Sequence, residues 1–173
     1  YGRLVYNGNT FTPISSLSDA IRKQTIVING VSKTYAMTGW RVGFAVGEPE
    51  IISGMAKIIS QTTSNLTSVS QYAAIEALTG DQSSIEEMRK AFEERLNTIY
   101  PLLAEVPGFE VIKPQGAFYL FPNVKKAMEI KGYTDVNDFT NAILEEAEVA
   151  LVTGAGLVLL KIFVLATLQI WIF

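Results

Sequence analysis

Two short apolar runs bracket a glycine-punctuated stretch of this chain. Ile26-Val27-Ile28 lies on one side and Val42 to Val46 on the other. Both are too short for a helix and read as strands, the first of them buried. The stretch from Asn29 to Gly43 reads NGVSKTYAMTGWRVG, so a lysine, Lys33, and an arginine, Arg41, sit on a loop held by strands at both ends. A lysine shielded from water loses its proton more easily and becomes a nucleophile towards carbonyls. An arginine offers a planar fork of donors that fits a phosphate. Taken alone, the pair equally fits a surface lysine and a salt-bridged arginine. Gly39, Gly43 and Gly47 favour the chemical reading, because they permit close backbone approach.

Helical signals follow these strands. Pro49 between Glu48 and Glu50 marks a helix start, and Ile51, Ile52, Met55, Ile58 and Ile59 recur at helical spacing. Thr67 to Leu78 reads as a second helix, broken at Gly80-Asp81. Ser83 to Leu103 reads as a long amphipathic helix with Met88, Phe92, Leu96, Ile99 and Leu103 as its apolar stripe and Pro101 near its end. Phe109 to Ile112, Ala117 to Leu120 and Val149 to Val152 read as strands. Lys125 to Lys131 and Val136 to Glu146 read as helices. Upstream, Leu4 to Tyr6 looks like a strand end followed by an Asn7-Gly8-Asn9 turn. The aromatic residues Tyr35, Trp40, Phe118 and Tyr119 are expected to serve mainly in packing. The expected architecture is α/β, with a unit boundary along the long helix.

Composition narrows the chemistry. There are no cysteines and no histidines, which removes disulfides, thiolate and imidazole metal sites, catalytic triads and imidazole acid–base catalysis. No metal site is expected. The formal net charge of −3 comes without a basic block, so nothing points to nucleic acid. Catalysis is left to Lys, Tyr, Asp, Glu, Arg or a cofactor.

Ser32-Lys33, Gly39-Trp40-Arg41 and Gly43 together resemble the cofactor-lysine signature of class I/II aminotransferases, enzymes of fold type I that use pyridoxal 5′-phosphate. The resemblance extends through Pro114-x-Gly116-Ala117-Phe118-Tyr119 and Val149 to Gly154, nearly the whole chain to Gly156, and is nearest to bacterial aspartate aminotransferases. It implies the C-terminal part of a fold-type-I transferase. Residues 1–80 would end the large mixed-sheet domain, 81–106 form a connecting helix, and 107–156 form the small α/β domain. It implies Lys33 as the Schiff-base lysine and proton-transfer group, Arg41 as the phosphate clamp, and Tyr1 as a hydroxyl meeting the cofactor's ring oxygen. Many members carry a phosphate-binding serine three residues before the lysine. Here that position is Gly30, and Ser32 either compensates as a cofactor contact or faces solvent. Gln61 to Thr67 resembles a segment that reaches a neighbouring subunit's site, and equally a polar interhelical loop. The resemblance further implies a cytoplasmic homodimer acting on an amino acid, aspartate-like donors favoured, and a 2-oxo acid. Other reactions of the same fold type, β-elimination or acyl-CoA condensation, start from the same lysine. A non-catalytic, membrane-attached module is the reading from another class.

The segment Leu157 to Phe173 departs from this pattern. It is apolar but for Lys161 and approaches the length of a membrane span. No arginine follows Arg95, where the resemblance expects one for the substrate carboxylate. The chain alone is therefore expected to be inactive. A one-base frameshift explains both features. Legal codons for the segment, read one base earlier, give FSAPENIRLSYATDLDI, with the missing arginine straddling Phe163 and Val164. Membrane attachment is then not expected. The nucleotide sequence decides this: the idea fails if the other frame encodes no such segment.

Overall fold

The computed structural model describes residues 1–154 and, for the backbone, Val164–Thr167. The chain divides into two compact units, Tyr1–Arg89 and Lys90–Phe173. The readings of the apolar tail, as a membrane span or as out-of-frame sequence, concern residues that lie outside the described ones except at Val164–Thr167. Among the described residues no helix is long and apolar enough to cross a membrane.

In the first unit, Leu4 and Tyr6 are fully buried and anchor the start of the chain. Asn7 and Gly8 both take positive φ, the geometry an Asn-Gly turn favours. Helix α1 (Asp19–Lys23) is capped by Ser18, whose Oγ accepts from the Ile21 N–H. Strands β1 (Val27–Gly30) and β2 (Gly43–Val46) pair antiparallel, from Val27 opposite Val46 to Gly30 opposite Gly43. Helix α2 (Pro49–Thr62) begins on Pro49 as expected. Helix α3 (Ser68–Thr79) buries Ala74. Helix α4 (Ser83–Ala104) runs across the division between the units and carries Pro101 inside it.

The second unit holds a three-stranded antiparallel sheet in the order β3 (Tyr119–Leu120), β5 (Val164–Thr167), β4 (Val152–Thr153). Helices α5 (Lys125–Lys131) and α6 (Val136–Ala147) enclose a core of Val124, Ala127, Met128, Val136 and Phe139. Asp135 caps α6 by accepting from the Asn137 N–H, and Gly132 ends α5 at φ 78°.

Several sequence expectations need correcting. Ile26 and Ile28 are 42% and 71% exposed rather than buried; among the described residues the β1–β2 ribbon has no layer against that face. Phe109 to Ile112 forms only an isolated bridge between Glu110 and Asn123. The strand expected from Ala117 starts at Tyr119, because Ala117 takes φ 60° and breaks the extended run. The strand expected over Val149 to Val152 is displaced to Val152–Thr153, because α6 closes with Glu148 in the left-handed region. Exposed apolar side chains also line α2 and α3, among them Ile58, Val69, Tyr72 and Ile75.

Candidate active site

Tyr1, Ser32, Lys33 and Arg41, the four residues singled out from the sequence, all line one cavity of about 360 Å³ together with Asn29, Gly30, Val42 and Gly43. The local sequence accounts for this convergence. Val31 and Val42, at the two ends of the loop, are buried and pack with Ala74 of α3, and Tyr35, Met37 and Leu66 pack against them. The Val31 N–H donates to the Val42 carbonyl at 3.3 Å, which closes the loop at its base. Thr34 is buried as well, while Ser32 and Lys33 are half-buried and border the cavity. In Val31-Ser-Lys-Thr34 the outer residues therefore hold the segment and the inner two carry its polar groups.

Two non-glycine residues of this loop take left-handed backbone, Ala36 at φ 52° and Arg41 at φ 55°. Such residues cost about 1–2 kcal/mol each and cluster where surrounding structure fixes a functional geometry. The Arg41 Nη1 donates to the Thr38 carbonyl at 2.9 Å. That uses one of the five guanidinium donors and steadies the group at the cavity wall.

Gly30 is glycine for a steric reason. A Cβ there would lie 2.7 Å from the Val42 carbonyl oxygen, a backbone atom that cannot step aside. A serine at this position, which the resemblance led one to expect, is incompatible with the close approach of β1 and β2 here.

Sequence reasoning missed two residues. Asn29 lines the cavity, and its Oδ1 accepts from the Gly30 N–H at 2.8 Å. Gln82 ties four segments together. Its Oε1 accepts from Arg3 Nη1 at 2.7 Å and from the Tyr35 hydroxyl at 3.3 Å. Its Nε2 donates to the carbonyls of Ala77 and Gly80, each at 2.9 Å. The Asn-Gly pair carried a weak signal for the first; Gln82 is distant in sequence and carried none. Of the aromatics expected to pack, Phe118 does so, stacked on Phe92 with centroids 5.3 Å apart in the second unit. Tyr35 does so too, but Trp40 is 43% exposed.

An amine, a guanidinium and two hydroxyls around one concave space suit a small ligand bearing both an aldehyde and a phosphate. Comparison with known proteins is consistent with that donor set. The family model for aminotransferase class I and II matches residues 1–167. The asparagine–oxo-acid transaminase of Streptococcus mutans is 76% identical over 156 residues, which cover 90% of this chain and 40% of that protein. The aspartate aminotransferase of Bacillus subtilis is 53% identical over the same shares. Among solved structures, an aspartate aminotransferase from Rhizobium meliloti superimposes with a TM-score of 0.88 at 34% identity, covering 98% of this chain and 44% of that one. The chain belongs to the class I and II aminotransferase family, whose members depend on pyridoxal phosphate. It spans about 40% of the length of the curated relatives it matches.

Proposed function

We propose that this chain carries the lysine-bearing part of an aminotransferase that moves an amino group from an amino acid to a 2-oxo acid, as a cytoplasmic homodimer. The observation that supports this is the convergence of Lys33, Arg41, Ser32 and Tyr1 on one cavity. When bound, pyridoxal 5′-phosphate supplies an aldehyde for amines and a conjugated ring that takes up the electrons of the substrate's broken Cα–H bond. Lys33 would provide the amine that holds the cofactor at its aldehyde. Its Nζ would also be the group that takes the substrate's α-proton and returns it, as general base and then acid. Arg41 would hold the phosphate through its remaining donors. Ser32 and Tyr1 would offer hydroxyls to the phosphate and the ring oxygen.

The donor is aspartate-like in this reading, in keeping with the relatives named aspartate aminotransferase. The 76%-identical relative named for asparagine supports the amide as the second candidate. The chain by itself is not expected to turn substrate over. It has no arginine after Arg95, and the substrate carboxylate loses a charged hydrogen-bond partner worth roughly 1.5–3 kcal/mol.

Treating the chain with pyridoxal 5′-phosphate and then borohydride is expected to fix label on Lys33, read by peptide mass, and Lys33→Ala is expected to lose it. Label on other lysines with Lys33 unmarked would refute the assignment.

A further inference from the structure

We propose that Asn29 is an anion-anchoring residue of the same cavity, supplying through its side-chain amide the donor that residue 30 cannot supply. The inference rests on the reading of Arg41 as the phosphate clamp. Position 30 is closed to any side chain by the Val42 carbonyl, 2.7 Å from where a Cβ would stand. Asn29 is the adjacent polar residue on the cavity wall. An asparagine amide has an accepting oxygen and two N–H donors. The Asn29 oxygen is committed to the Gly30 N–H at 2.8 Å, which also fixes which end of the amide is which. What no hydrogen bond to Gly30 engages is the amide nitrogen with its two N–H donors. Beside Lys33 and Arg41, those donors are matched to the oxygens of a phosphate. Gly30 and Asn29 act as a pair: the first lets the strands close, and the second restores the polar contact that closing removes.

The test compares two ligands that share the aldehyde and differ in the phosphate, pyridoxal 5′-phosphate and pyridoxal. Both are titrated against the full chain, with circular dichroism confirming that each variant is folded. The chain is expected to prefer the phosphorylated ligand, and Arg41→Ala is expected to remove the preference. Asn29→Ala is expected to reduce it about tenfold to a hundredfold, the share of one hydrogen bond to a charged group, while affinity for pyridoxal stays unchanged. Asn29→Asp retains the oxygen that accepts from Gly30, so it guards against loss of the hairpin, and is expected to reduce the preference further. A preference that depends on Arg41 but is unchanged in both Asn29 variants overturns the role of Asn29 and leaves the Arg41 reading standing. So does a preference that Ser32→Ala removes and Asn29→Ala does not. No preference in the unmodified chain overturns the Arg41 reading and this inference with it.

Discussion

Around Lys33 the backbone enters the left-handed region at Ala36 and Arg41, within a loop. In the second unit, α5 and α6 use that region only at their closing residues, Gly132 and Glu148. The lysine loop rests on three buried side chains, Val31, Val42 and Ala74. The α5–α6 core buries five, on helices with a side-chain cap at the start of α6 and a glycine at the end of α5. One region spends stability on geometry and the other supplies it through burial. The difference teaches where to look for chemistry: the strained, thinly packed segment holds the candidate reactive side chains, and the regular one holds none of them.

Four substitutions can break or sharpen that contrast. The largest effect is expected from Phe139→Ala. Truncating a buried ring leaves a cavity and costs about 3–5 kcal/mol, read as an early loss of helical circular dichroism in urea. A cost under about 1 kcal/mol would show that this core is less close-packed than its burial implies. Gly30→Ser comes next, at about 1–3 kcal/mol, because the obstacle is the Val42 carbonyl. If the serine variant is as stable as the original chain, the hairpin can part without penalty and the strain contrast fails. Gln82→Ala should cost about 1–3 kcal/mol by leaving its partly buried partners unsatisfied. It should also weaken cofactor labelling of Lys33, since Tyr35 on the lysine loop is one of those partners. Arg41→Gly is expected to change stability by less than about 1 kcal/mol, as relief of left-handed strain offsets the freedom glycine gains when unfolded. The same variant should lose the preference for a phosphorylated ligand, which would separate what the residue does from what its backbone costs.

Much of this was legible from the residues. The start of α2 at Pro49, the apolar stripe of α4 and the span of α5 follow from local rules of capping and periodicity. That the lysine, arginine, serine and tyrosine belong together, as their shared cavity shows, was legible because their types and spacing resemble a known signature. The failures share a cause. Ile26 to Ile28 reads as buried because it is apolar, yet burial depends on what covers a strand. Ala117 and Glu148 take positive φ without being glycine, so no composition rule marks the strand boundaries they set. Asn29 and Gln82 matter through pairings with Gly30, Arg3 and Tyr35 that only the folded backbone creates.

A smaller effect follows from pH. Asp81 precedes α4, and its carboxyl is held below its ordinary value of 3.8, chiefly by the hydrogen bond from the Ser83 hydroxyl, with the Ser83 N–H assisting. A lowered carboxyl stabilises the fold above its unfolded value and loses that contribution as acid protonates it in the folded state. The start of α4 is therefore expected to weaken below about pH 4, and Asp81→Asn should flatten that part of the acid melting curve. An unchanged curve would remove Asp81 from the account.

The uncovered face of Ile28 and the outward side chains of Ile58, Val69 and Tyr72 have a consequence for handling the chain. Apolar patches attract one another at short range, and a formal net charge of −3 spread over 173 residues gives copies little electrostatic reason to stay apart. Its colloidal behaviour should be that of a sticky particle, with turbidity rising with concentration and receding in mild detergent.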